Sequence, residues 1–280
     1  MTNPYGDIPL GQQTDYVDHY DAALLSPIPR SLAREALALP GEVFPADALP
    51  FKGVDVWNAY ELSWLDKQGK PVVAMAQITV PCDSDCLVES KSLKLYLNGF
   101  ANTRFAGEQA VTDTMIADLS AAAGGPVSVR LRSLGEAADD TLQLPAGECV
   151  DGLSVAMEGF DYAPALLRTN EGPVHTAQLH SHLVRSLCPV TRQPDWATVV
   201  VRYTGKPIAP EGLLRYLVSF RNHSGFHEQV VELVYQDIQR QCAPEQLSVQ
   251  GLFTRRGGLD INPFRSSQDE PAPILRMPRQ

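Results

Sequence analysis

Long hydrophobic runs are missing from this chain. No stretch supplies the roughly 18 consecutive apolar residues of a membrane span, and the opening MTNPYGDIPLGQQTDYVDHY lacks the basic and then apolar order of a secretory leader. A soluble protein without a membrane partner is expected. Cysteine is sparse: Cys82, Cys86, Cys149, Cys188 and Cys242 make an odd count without a regular framework, which fits free thiols in a reducing, cytoplasmic compartment. An excess of basic charge is also lacking. The 23 Lys and Arg stand against 33 Asp and Glu, for a net charge of -10, and this disfavours a chain that coats nucleic acid. Neither GxGxxG nor GxxxxGK[ST] occurs, so the Rossmann fingerprint and the P-loop are both absent.

What remains is ordinary globular material of 280 residues, 44% hydrophobic and 20% charged, long enough for one large domain or two of common size. Charge is uneven: residues 1–175 sum to -13 and residues 176–280 to +3, so an anion-binding surface is expected in the second part. Residues 1–50 are rich in proline and read as an extension wrapped on a domain, with one helix near SLAREALAL that Ser31 caps. From Val54 onward, YELSWLD and PVVAMAQITV read as a hairpin turning through Asp66 to Gly69. Helical periodicity runs from Ser92 towards Phe105 and again through TDTMIADLSAAA, which Gly124, Gly125 and Pro126 terminate. VSVRLRSL then alternates as a strand.

The chain repeats itself at an offset of 120 residues. Over sixteen positions from Tyr96, seven are identical: Tyr96/Tyr216, Leu97/Leu217, Phe100/Phe220, Asn102/Asn222, Glu108/Glu228, Gln109/Gln229 and Val111/Val231. Chance supplies about one at ordinary residue frequencies. The second copy offers WATVVVRY and LSVQGLFT as strands, with GLLRYLVSF and HEQVVELVYQDIQR as helices. Each copy is therefore α+β, with helices on one face of an antiparallel sheet. The domains expected are 51–170 and 171–280 after the extension 1–50, with residues 135–180 joining the copies. The copies diverge where chemistry is possible: Cys188 and Asp195 face Gln68 and Met75, His227 faces Gly107, and Glu89 faces Ala209. Each copy keeps part of a site, which points to a pocket at an interface between copies, within a chain or across a dimer.

Several residues invite a chemical reading, each with a plainer one beside it. Cys188, in RSLCPVTRQPDW, is an exposed thiol at a strand end or a small buried hydrophobe. Asp195 after Pro194 is a rigidly held proton carrier or a turn aspartate. His227 and Glu228 enter a helix, where a cap or a salt link explains them as well as a ligand does. Ser90 or Ser92 caps the helix after Glu89, leaving amides and Lys91 for an anion. Arg255, Arg256, Gly257 and Gly258 make a basic turn suited to phosphate and equally common in hairpins. Cys82 and Cys86 lack convergent partners, and His180 and His182, alternate on a strand, lack an evident third ligand. No metal is expected.

Together, ESKSLKLYLNGF, LCPVTRQPDW, FRNHSGFHEQ and TRRGGLDINP resemble the NADPH-dependent 7-cyano-7-deazaguanine reductases, the QueF family, in their long tandem-domain form. The resemblance spans residues near 50 to 265. It implies two tandem tunnelling-fold domains and reduction of the nitrile of 7-cyano-7-deazaguanine to the aminomethyl group with two NADPH, in queuosine biosynthesis for tRNA modification. By the same resemblance Cys188 attacks the nitrile carbon to give a thioimide, and Asp195 transfers the proton. Val88, Glu89, Ser90, His227 and Glu228 hold the substrate, while Ser90, Lys91, Arg256 and Gly257 hold NADPH. A homodimer is the expected assembly. Two alternatives stand beside this reading. A noncatalytic purine- or pterin-binding protein of the same fold would not need Cys188 with Asp195. A related cyclohydrolase would need a cysteine and histidine metal set, which the spacing does not reveal.

Overall fold

The computed structural model describes residues 17–37, 49–138 and 140–280. Its contacts divide the chain into two compact units that are not contiguous in sequence. The first holds residues 17–37, Val56–Thr141 and Arg255–Asp260; the second holds residues 49–55, Leu142–Thr254 and Ile261–Gln280. The remainder of the proline-rich opening lies outside the described residues.

In the first unit a short strand β1 (Pro27–Pro29) leads into α1 (Ser31–Leu37). Ser31 is the first helical residue rather than the cap; the carbonyl of Arg30 accepts from the amides of Ala33 and Arg34. β2 (Lys52–Leu65), whose first residues belong to the second unit, and β3 (Pro71–Pro81) form the expected hairpin. Asp66 closes it by accepting from the amides of Gln68 and Lys70, and Gly69 takes φ +87°. β4 (Cys86–Val88) pairs with β1, then come α2 (Ser90–Phe100) and α3 (Glu108–Ala123). Gly124, in the left-handed region at φ 65°, ends α3 and turns the chain into β5 (Ser128–Arg132), antiparallel to β3. The stretch expected to continue as a strand becomes α4 (Leu134–Ala137), because Ser133 and Glu136 form a capping box.

In the second unit, β6 (Glu148–Cys149) is a two-residue strand parallel to β7 (His175–Leu187), so the sheet is mixed rather than wholly antiparallel. β7 and β8 (Pro194–Gly205) are antiparallel, with a bulge between Ser181 and Val184. α5 (Pro210–Ser219), α6 (His227–Cys242), β9 (Gln246–Phe253) and β10 (Leu259–Ser266) complete the order, β10 entering this unit at Ile261. Sheet neighbours run β9, β8, β7, β6, and the expected linking piece LLRT instead follows a 3-10 turn at Pro164–Leu166. Arg265, fully buried, bonds Asp55 and Glu232 at 2.8 Å each, so a charge that burial would otherwise forbid is paired on two sides.

The duplication is deeper than the offset of 120 shows. Tyr96 donates to Asp118 at 2.7 Å and Tyr216 to Asp237 at 2.5 Å. Each aspartate takes a second phenol from a segment outside the matched helices, Tyr20 at 2.8 Å in the first unit and Tyr162 at 2.6 Å in the second. Two residues after each of these tyrosines a 3-10 turn begins, at Ala22 and at Pro164. Soon after, Ser26 and Arg168 present carbonyls to the amides of Glu89 and Ala209. The sequences YDAALLS and YAPALLR thus match at an offset of 142, and the second copy's strap begins near 160.

Candidate active site

The end of β7 and the start of β8 gather the groups expected to react. Leu187 pairs with Pro194 and Ser186 with Asp195, and a six-residue loop from Cys188 to Gln193 joins them. That loop is closed by two backbone bonds of 2.9 Å, from the Cys188 amide to Gln193 and from the Arg192 amide to Cys188, with Arg192 at φ 57°. Cross-strand partners share a face of the sheet, so Ser186 and Asp195 lie on one face, and Cys188 follows directly at the start of the loop. The thiol is not the exposed group that its polar surroundings suggest: Cys188 is 4% exposed. Its neighbours in sequence are turn formers because the loop must be tight.

His227 reaches this face from α6. Leu187 fixes the approach, donating to the carbonyl of His223 at 2.8 Å and accepting from the amide of Gly225 at 3.0 Å, so HSGFHE is tied to the strand that ends at Cys188. The His227 ring stacks on Phe253 at 3.9 Å between centroids, and its Nε2 lies 3.3 Å from Oδ1 of Asp195. Gln229 accepts from the Phe226 amide at the start of the helix, and Glu228 beside His227 is buried. Two buried polar atoms here have no hydrogen-bond partner, Nδ1 of His227 and Oγ of Ser186. Buried groups of this kind cost about 1–3 kcal/mol when nothing bonds them, so their presence marks a place for a polar ligand.

In the first unit Glu89 is the helix cap, in place of Ser90 or Ser92. Its carboxylate accepts from the amides of Lys91 and Ser92 at 2.7 Å each and, at 3.4 Å, from the Ser90 hydroxyl. The Ser92 hydroxyl instead donates to the Glu89 carbonyl. The amides that the sequence seemed to leave for an anion are therefore occupied. Glu89 is 1% exposed, and burial raises its pKa against the opposing pull of these bonds. A carboxylate has about four acceptor positions, so room remains for further donors. Val88 precedes it, buried in β4.

Arg256 and Leu259 exchange both backbone bonds around Gly257 and Gly258, at φ +59° and +77°, the geometry of a two-residue hairpin turn. A Cβ on Gly257 would stand 2.9 Å from Nζ of Lys94, so the turn lies against α2 one helical turn beyond Ser90 and Lys91. Lys94 also pairs with Glu61 at 3.7 Å, and Arg255 stacks over Tyr60 at 4.7 Å. Exposed guanidinium groups on a turn beside Lys94 suit a nucleotide phosphate.

Three contributors escaped the sequence reading. Ser186 and Phe253 carry no local signal because only strand pairing and stacking bring them to Asp195 and His227. Cys149 carried no role in the sequence, and its sulfur and the imidazoles of His180 and His182 lie within 4.8 Å of one another. A cysteine and histidine set therefore exists, where the spacing revealed none.

Comparison with known proteins decides the family. Residues 16–131 match the model described as nitrile reductase, 7-cyano-7-deazaguanine-reductase N-term, and residues 194–272 match that of QueF-like protein. Proteins named NADPH-dependent 7-cyano-7-deazaguanine reductase are similar over nearly the whole chain. One from Desulfotalea psychrophila is 48% identical, covering 98% of this chain and 97% of its own, and one from Dechloromonas aromatica is 51% identical, covering 98% and 95%. A third, from an Azoarcus species, is 52% identical and covers 92% and 90%. Among solved structures, the archaeosine synthase QueF-Like in the apo form aligns over 36% of this chain and all of its own, with 18% identity and a TM-score of 0.31.

Proposed function

The chain belongs to the NADPH-dependent 7-cyano-7-deazaguanine reductase family, two tunnelling-fold domains in tandem, and from that membership and the geometry around Cys188 we propose how it reduces its nitrile. It is an NADPH-dependent oxidoreductase of the nitrile-reducing kind. The substrate is 7-cyano-7-deazaguanine and the product its 7-aminomethyl counterpart, an intermediate of queuosine biosynthesis. The observation that carries the mechanism is buried Asp195, across the strand pair from Ser186 and next to the loop that begins at buried Cys188, meeting Nε2 of His227 at 3.3 Å.

Asp195 takes the proton of the Cys188 thiol, and the sulfur forms a bond to the nitrile carbon. As one π bond of the C≡N group opens, Asp195 returns that proton to the nitrogen, giving a thioimide without a free nitrogen anion. Nε2 of His227 holds the Asp195 carboxylate in place, and the stack on Phe253 fixes the ring. In the first unit Glu89, after Val88 and beside Ser90, accepts from the guanidine-like N–H groups of the substrate; in the second unit His227 and Glu228 are the substrate contacts. Nδ1 of His227 and Oγ of Ser186, buried without a protein partner, are available to hydrogen-bond the substrate. Ser90, Lys91, Arg256 and Gly257 hold the cofactor. Two molecules of NADPH, bound in turn, would supply one hydride each for the four-electron change; between the two the C–S bond breaks, its electron pair returns to the Cys188 sulfur, and the imine that remains takes the second hydride to become the amine. The burial of Cys188 keeps water from the half-reduced carbon, which would otherwise hydrolyse.

The enzyme works as a cytoplasmic homodimer without nucleic acid or membrane as direct partner. Among the described residues no helix is long and apolar enough to cross a membrane. The test is consumption of NADPH with the nitrile supplied: about two equivalents oxidised per amine formed supports the reading. The absence of NADPH loss in response to the nitrile contradicts it.

A further inference from the structure

The reductase chemistry leaves a second reactive cluster in the second unit unassigned. β6 lies beside β7 in parallel register with Cys149 opposite His180, and His182 follows two residues along β7. The strand period alone would put both imidazoles on one face, and the pairing of a two-residue edge strand sets the thiol next to them. We infer that Cys149, His180 and His182 form a binding site for a thiophilic divalent transition metal, zinc by preference.

The donor set is the first argument. One thiolate and two imidazoles suit zinc, and hard cations such as magnesium or calcium prefer oxygen. Bond lengths of zinc to nitrogen and sulfur place tetrahedral ligand atoms about 3.3 to 3.8 Å apart. The three donor atoms here already lie within 4.8 Å of each other, so roughly an ångström of side-chain adjustment closes the site. The rings of His180 and His182 meet edge to face at 5.2 Å between centroids.

The surroundings orient the ligands as a metal site requires. Nδ1 of His182 is hydrogen-bonded to Oγ1 of Thr198 at 2.8 Å, which leaves Nε2 to coordinate. Nδ1 of His180 is buried without a partner, an orphan that a metal ion would satisfy. Asp151 bonds the Ser181 hydroxyl at 2.6 Å and the His182 amide at 2.9 Å, locking the strand at the bulge and placing a negative charge beside the cation. Cys149 is exposed, so an ion can enter from solvent.

His182 precedes Cys188 by six residues, roughly 15–20 Å along β7, so the metal does not touch the nucleophile. Its task is to fasten β6 to β7, with water in the fourth position. The test uses the full chain, treated with chelator, kept reduced and titrated with Co(II). One equivalent should bind with a thiolate-to-cobalt charge-transfer band. Cys149→Ser should remove that band and weaken binding at least about tenfold, Thr198→Val should weaken it by about 10–100-fold, and Cys188→Ala should leave the spectrum unchanged. No stoichiometric cobalt binding overturns the proposal. So does a band that survives in Cys149→Ser or is lost in Cys188→Ala. None of these readouts involves the nitrile, so they stand or fall apart from the reductase mechanism.

Discussion

Glu89 has two demands on one carboxylate. It closes the first turn of α2 by accepting two amides, and in the proposed mechanism it accepts from the substrate as well. Burial favours its neutral form, so its pKa stands above the ordinary glutamate value. The ionised group accepts more strongly and at both oxygens, so affinity is highest above that raised pKa and weakens as pH falls through it. Folding couples in the opposite sense, because a raised folded pKa stabilises the protein at low pH and that contribution fades as pH rises through it. Glu89→Gln should raise KM at neutral pH and flatten the acid limb of kcat/KM, while loss of one cap acceptor costs about 0.5–2 kcal/mol in urea unfolding. An acid limb unchanged in the variant would remove Glu89 from the substrate contact. The residue itself was legible in ESKSLKLY by resemblance, but its capping role was not, since serine is the commoner cap and two serines stood nearby.

At the scale of elements, the strap that crosses α2 and α5 defines each copy as much as the helices do. Tyr162 and Tyr216 both donate to Asp237, whose pKa burial raises despite those two bonds. Tyr216→Phe should therefore destabilise the second unit by about 1–3 kcal/mol in urea unfolding, because a buried acceptor loses its donor. An unfolding midpoint equal to that of the parent protein would show that the aspartate finds water instead. The repeat of α2 with α5 and α3 with α6 could be read directly, since no insertion interrupts the offset of 120. The strap could not, because residues inserted between strap and helix in the first copy shift it to an offset of 142. In the same way His180 and His182 were placed on a strand from their alternation, but Cys149 met them only through a parallel pairing that no local pattern announces.

For the whole molecule, divergence between copies remains the clearest sign of how the work is divided: the second unit keeps Cys188 and Asp195, the proposed nucleophile and proton carrier, and the first keeps Glu89 and the basic turn. A homodimer is expected with closed symmetry. Light scattering measured beside activity should give twice the chain mass at every concentration where the enzyme turns over, and an active monomer on dilution would defeat that expectation. Fold class and most elements followed from periodicity and turn residues, whereas the interleaving of the units did not. β2 and β10 each pass from one unit into the other, and a strand carries no mark of where its packing partner changes.

The central claim is that the sulfur of Cys188 bonds to the nitrile carbon before any reduction. Intact-protein mass after incubation with 7-cyano-7-deazaguanine alone tests it most directly. The parent protein should gain the mass of one substrate, Asp195→Ala should form the adduct more slowly, and Cys188→Ala should form none. An adduct of undiminished yield in Cys188→Ala would contradict the account.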